Sequence, residues 1–250
     1  MSSFNDSFSK QSDIYSKYRP SYPTELFSFL SSLTENHALA WDCGTGNGQA
    51  AIGLSAFYEK VLATDPSENQ IRNAPKSPKV SYFIEPAENS SIRTNTVDIV
   101  TIANALHWFN FDLFYKEVKR VVKSTGVIAA WSYGLPIISP EIDSIVKQFH
   151  DGTLGTYWQA PNRLVEKAYT TIPFPFRPIP APKFYIEKVF NLKELIGYFN
   201  TWSATQRFIN DNKFNPTEEF EDDLIKVWPE SNTTKTLRWE LILKVGRVKV

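Results

Sequence analysis

The sequence predicts an α/β fold: a mostly parallel, seven-stranded sheet with helices on both faces, a last strand that is antiparallel, and a cap region. Three observations carry this. Short apolar runs alternate with helical stretches, as parallel strands buried on both faces require. A glycine-rich turn follows the first run. In the second half the alternation gives way to a proline- and aromatic-rich stretch, after which strand patterning returns.

The elements follow in order. Pro23 to Leu33 reads as a short helix after a polar opening, and Ala38 to Asp42 as the first strand, running into Cys43-Gly44-Thr45-Gly46-Asn47-Gly48. Gln49 to Tyr58 is a helix and Lys60 to Asp65 the second strand. Ser67 and Gln70 have capping-box spacing and open a helix through Asn73. Val80 to Glu85 and Val97 to Ala103 are the third and fourth strands. Phe111 to Lys123 is a helix with Lys119, Arg120 and Lys123 suited to its C-terminal dipole. Gly126 ends it, and Val127 to Trp131 is the fifth strand.

Residues 132–182 contain half of the sixteen prolines, yet they are too aromatic for a linker. They read as an irregular cap over the sheet's C-terminal edge, with a helix from Glu141 to His150. Phe184 to Phe190 returns as a strand. Asn191 and Glu194 frame one helix start, Asn215-Pro216 another, and Lys235 to Val245 is the last, antiparallel strand.

Composition narrows the function. With 250 residues and 42 % hydrophobic side chains, one substantial core is expected. The 27 basic and 27 acidic side chains cancel, so a dedicated nucleic-acid binder is not expected. One cysteine, Cys43, excludes an internal disulfide and a multi-cysteine zinc site; no metal is expected. The polar N-terminus shows no signal peptide, and no apolar run nears the ~18 residues a membrane span needs. A cytoplasmic protein with a small-molecule partner and no membrane association is the expectation. The sequence sets no oligomeric state.

Strand, glycine turn, helix, second strand and acid, in that order, form a Rossmann-like unit that cradles a nucleotide-like ligand. Asp65 ends the second strand about twenty residues beyond Gly44, where a carboxylate accepts both hydroxyls of a ribose. The spacing Gly44, Gly46, Gly48 departs from the dinucleotide fingerprint. Asp42, just before the turn, would repel a pyrophosphate but suits an ammonium or a sulfonium. The electrostatics therefore favour S-adenosylmethionine over a nicotinamide cofactor.

The stretches WDCGTGNGQAA, VLATDPSENQI, EPAENSSI, VDIVTIANALHWF and GVIAAW resemble the class I methyltransferases of the type 11 group, nearly end to end. YRPSYP, FPF and TWSATQR resemble an uncharacterised bacterial and plant subgroup, and more distantly the chain is similar to trans-aconitate methyltransferases. The resemblance implies one methyltransferase domain over 1–250: an N-terminal cap segment 1–36, a cofactor-binding core 37–131, the substrate cap 132–182, and C-terminal strands and helices 183–250. It implies that Gly44, Thr45 and Gly46 hold the methionine part of S-adenosylmethionine and Asp65 the ribose. Ala87 and Glu88 would lie beside the adenine, and Asn104 would offer its backbone to the ammonium. Asp42 would reach the cofactor directly or through water, and His107 and Trp108 would sit near the sulfur.

Methyl transfer to O or N of a small molecule is the expected reaction, a carboxylate being one candidate acceptor. The rival readings are a non-catalytic partner protein with this fold and a nicotinamide-dependent oxidoreductase. His107, past the fourth strand, is the candidate catalytic base; the alternative is a structural ring packed with Trp108. Tyr18 and Arg19 are candidates to fold over the cofactor, Arg19 pairing with its carboxylate, with an acidic substrate, or merely anchoring its segment. Trp131, Tyr133, Trp158 and Arg163 are the candidate acceptor residues, with Tyr157, Trp202, Gln206 and Arg207 beside them. His37 falls at the opposite edge, and His150 is expected in solvent.

Overall fold

A computed structural model describes residues 18–230 and 232–249; residues 1–17 of the expected cap segment lie outside the described residues. Helix α1 spans Thr24–Ser32, followed by β1 (Leu39–Cys43), α2 (Gln49–Ser55), β2 (Lys60–Asp65), α3 (Glu68–Arg72), β3 (Val80–Ile84), β4 (Val97–Ala103), α4 (Phe111–Val121) and β5 (Val122–Tyr133). The second half contributes α5 (Pro140–Gln148), α6 (Asn162–Glu166), β6 (Arg177–Pro178), β7 (Tyr185–Asn191), α7 (Leu192–Asn200), α8 (Ser203–Asn212), α9 (Thr217–Val227) and β8 (Thr234–Arg247).

The strands lie in the order β3-β2-β1-β4-β5-β8-β6, with β7 also paired to β8. β1 to β5 are mutually parallel, and β8 runs antiparallel to β5. This is the expected Rossmann-like arrangement with one addition, the two-residue β6. β4 shows why the order holds: VDIVTIA is buried from Val97 to Ile102, so it must be central. Each fully buried valine or isoleucine contributes about 1.5–3 kcal/mol. Even its one charge is satisfied. Asp98 accepts the Leu39 N–H at 2.9 Å and pairs with Lys123 Nζ at 2.7 Å.

Two apolar clusters flank the sheet. Val127, Ala129 and Trp131 of β5 face one, and Ile128 and Ala130 face the other, the period of two that a strand imposes. The capping expectations are met in full at α7 and in part at α3, where the Ser67 N–H donates to Asp65. Ser67 Oγ accepts the Gln70 N–H, and Asn191 with Glu194 forms a reciprocal capping box at α7. Pro216 sits at the N-cap of α9, one position ahead of the expected first turn.

The largest boundary difference falls between α4 and β5. α4 ends at Val121 and β5 begins at once, so Gly126 lies inside the strand rather than stopping a helix. A β-carbon on Gly126 would meet Val122 Cγ1 at 2.3 Å. The glycine serves close packing where the β4–β5 register shifts between Val97 and Ile99.

Candidate functional site

The C-terminal ends of β1, β2 and β4 open onto a cavity of about 1020 Å³. This is where open α/β sheets place their ligand sites. Gly44, Gly46 and Gly48 take left-handed φ values of 66°, 56° and 83°. At Gly44 a β-carbon would meet Ala105 Cβ at 2.7 Å and Phe109 Cζ at 2.9 Å, so only a bare backbone fits against the loop after β4.

Asp65 faces this turn. Its Oδ2 accepts the Gly46 N–H and its Oδ1 the Ser67 N–H, each at 2.9 Å. Both bonds fix the carboxylate at the cavity wall. Gly44, Thr45, Gly46, Ala87, Glu88 and Asn104 share the same wall. Glu88 Oε1 accepts the Asn110 N–H at 2.8 Å. Asn104 is left-handed, at φ 55°, and its N–H donates to the Trp131 carbonyl at 2.7 Å. Its Oδ1 accepts the Ser132 hydroxyl at 2.6 Å.

Asp42 is a correction. It is fully buried beneath the turn and absent from the cavity wall, its oxygens taken by the hydroxyls of Thr45 at 2.5 Å and Thr101 at 2.8 Å. Burial raises its carboxyl to about 6 from a usual 3.8, against the lowering effect of those hydroxyls. From there it braces Thr45 of the turn, with no direct place on the wall.

His107 lies on the wall, buried, with Nδ1 2.8 Å from the Tyr169 hydroxyl and its ring 5.1 Å from that of Trp108. Burial lowers its proton affinity to about 4 from a usual 6.5, so the ring is neutral near pH 7. Tyr169 is fully buried and left-handed (φ 56°), directly after left-handed Ala168. His107 and Ser132 flank its hydroxyl, and burial holds that hydroxyl above the usual tyrosine range. No sequence signal announces two successive left-handed residues without glycine.

The other end of the cavity is aromatic: Tyr22, Tyr133, Trp158, Tyr198 and Trp202 line it. Arg19 joins them, donating to Thr201 Oγ1 at 3.0 Å, the Thr201 carbonyl at 3.3 Å and the Tyr133 hydroxyl at 3.3 Å. Its guanidinium carbon stands 5.5 Å from the centre of the Tyr198 ring.

Several expected acceptor residues lie elsewhere. Trp131 is fully buried and packs edge-on against Tyr22 at 5.3 Å, because its parity in β5 turns it into the core. Arg163 is exposed and paired with Glu166 at 2.9 Å. Tyr18, expected to fold over the cofactor rather than the acceptor, rests its ring where Gly197 of α7 leaves room and is not on the wall. Gln206 and Arg207 bond the carbonyls of Asn200 and Tyr157, and Tyr157 packs on Phe208.

His150 is the opposite case. Instead of lying in solvent it is buried on the cavity wall, in a π-helical turn, Phe149–Thr153, that extends α5. His37 lies off the cavity, as expected, with Nε2 3.0 Å from the Ser31 carbonyl. No His, Cys, Asp and Glu grouping suited to a metal occurs among the described residues, and none of their helices is long and apolar enough to cross a membrane.

Similar proteins agree with this geometry. Residues 41–130 match the methyltransferase domain family. A Dictyostelium discoideum protein named as a methyltransferase is 33 % identical over 229 residues, covering 90 % of this chain and 87 % of that protein. A Saccharomyces cerevisiae protein named as an S-adenosylmethionine-dependent methyltransferase is 31 % identical over 131 residues, 49 % of this chain and 45 % of its own length. A solved structure titled as a type II methyltransferase from Anaeromyxobacter dehalogenans superposes with a TM-score of 0.87 at 36 % identity, covering 93 % of this chain and 99 % of that one. With the glycine turn and these relatives in agreement, the chain belongs to the class I S-adenosylmethionine-dependent methyltransferases.

Proposed function

We propose that the chain methylates an oxygen or nitrogen of a small molecule held in the aromatic end of the cavity, while the glycine end holds the cofactor. The observation that carries this is the continuity of the two ends: Gly44 and Asp65 share one cavity with Trp158 and Trp202. When bound, S-adenosylmethionine supplies an electrophilic methyl group on a sulfonium.

The chain's residues then have separable tasks. The backbone of Gly44, Thr45 and Gly46 holds the methionine part, Asp65 accepts from the ribose hydroxyls, and Ala87 and Glu88 flank the adenine. The Asn104 carbonyl accepts from the ammonium. His107, kept neutral by burial, orients the loop through Tyr169 rather than acting as a base, because a ring of such low proton affinity gives proton transfer little driving force. Tyr133 and Trp158 contact the acceptor, and residues 132–182 act as its cap. Arg19 ties the N-terminal segment to Tyr133 and Thr201 and presents positive charge to an acidic acceptor such as a carboxylate. The balanced net charge favours a small molecule over a nucleic acid.

Calorimetric titration with S-adenosylhomocysteine tests this. Binding by the unaltered chain is expected, with at least a 100-fold loss in Asp65→Ala. Preferential binding of a nicotinamide dinucleotide, or full affinity in Asp65→Ala, would overturn the reading.

A further inference from the structure

His150 has a setting that methyl-donor binding does not explain. Its Nδ1 lies 2.6 Å from Asp151 Oδ1, and Asp151 also pairs with Lys147 Nζ. Lys147 and His150 hold the Asp151 carboxyl below the usual range, so it is ionised and only accepts. A neutral His150 must therefore carry its proton on Nδ1, leaving the Nε2 lone pair unprotonated. Nε2 has no bond to any described residue and is not among the enclosed unpartnered atoms, while His150 itself lines the cavity.

The ring is also clamped. Trp158 lies 4.7 Å away at 33° and donates its indole N–H to the His150 carbonyl at 3.1 Å. Trp202 stands edge-on at 5.7 Å. Both tryptophans line the cavity, so the ring that carries this unprotonated nitrogen in a fixed tautomer packs beside two cavity-lining indole rings. A planar ring stacks on such faces, and its hydroxyl can then donate to the nitrogen.

Resting on the cavity reading above, we propose that the acceptor is a planar aromatic hydroxyl compound and that His150 Nε2 receives the proton its hydroxyl loses. The acceptor oxygen's electron pair forms the bond to the methyl carbon, the S–CH₃ pair stays on sulfur, and the O–H proton passes to Nε2 to give an imidazolium. Asp151 stabilises that cation and acts as a positioning residue.

The test uses the full chain loaded with S-adenosylhomocysteine and labelled with ¹⁵N-histidine. Three histidines make the assignment tractable. Phenol, catechol and 4-nitrophenol are the probes, with benzoate as the carboxylate arm. The expected result is an Nδ1–H tautomer for His150, whose Nε2 resonance moves by several ppm with at least one phenol and not with benzoate. His150→Gln should lower label transfer to the responding phenol by about 100-fold without altering adenosylhomocysteine affinity. Asp151→Asn, at an exposed side chain, should lower transfer by about tenfold and informs even if His150→Gln does not fold. A chain that binds adenosylhomocysteine but shows no response of His150 to any phenol, or full transfer in His150→Gln, would overturn the proposal. Failure to bind adenosylhomocysteine at all would overturn the cavity reading beneath it.

Discussion

The hydroxyl of Tyr169 meets Nδ1 of His107 at 2.8 Å, joining the loop after β4 to a residue 62 positions later in the cap. Both side chains are buried, so neither polar group has water as an alternative. Tyr169→Phe keeps the ring and deletes the contact, leaving a buried imidazole nitrogen unpartnered. The expected loss is about 1–3 kcal/mol, seen as a melting temperature lower by several degrees. Adenosylhomocysteine affinity should change less than about threefold, since the hydroxyl is fully buried beneath the wall. Calorimetry on this variant and the unaltered chain measures the two quantities separately.

The glycine turn separates steric from conformational cost. Gly44 and Gly46 are both left-handed, but a β-carbon at Gly46 meets nothing nearer than Gln70 Oε1 at 4.0 Å, whereas at Gly44 it strikes Ala105 and Phe109. Gly46→Ala should therefore cost only the left-handed strain, about 1–2 kcal/mol. Gly44→Ala should cost more and push the turn away from the loop after β4, lowering adenosylhomocysteine affinity at least tenfold. Equal melting temperatures for the two variants would contradict this.

Asp42 and His107 impose opposite pH dependences on stability. Folding raises the Asp42 carboxyl from 3.8 to about 6, so the folded state binds its proton more tightly and stability falls as pH rises through that window. Folding lowers His107 from 6.5 to about 4, so its contribution is complete above 6.5 and is lost as pH falls toward 4. Each contribution is on the order of 3 kcal/mol, and between pH 4 and 6 they offset one another. Asp42→Asn should therefore steepen acid destabilisation relative to the unaltered chain. His107→Gln should instead make the protein gain stability as pH falls from 6 to 4. Urea unfolding at three pH values decides the signs.

The cofactor half was legible because its signals are local. A strand, three glycines and an acid at the next strand's tip lie within a short stretch, and left-handed backbone at Gly44, Gly46 and Gly48 follows from residue type. The acceptor half was not, because its contacts are long-range. Trp131 read as a wall residue, yet strand parity turns it inward toward Tyr22. His150 read as solvated because nothing near it in sequence shows that Trp202 closes over its ring. The Val122 start of β5 was hidden by lysine, serine and glycine, whose polarity imitates a helix end. The adjacent His150-Asp151 pair was visible but uninformative until burial was known.

β8 pairs with β5 through Leu241–Arg247 and with β7 through Thr234–Glu240, a single strand spliced into both halves of the protein. Tearing β7 away exposes the unpaired edge of a strand whose other end is locked to β5, so partial melting gains the chain little entropy for the ladder bonds it forfeits. The β5 and β7 sides of the sheet are accordingly bound to rise and fall together in one cooperative transition, and a nick between them would not release a fragment able to keep its shape.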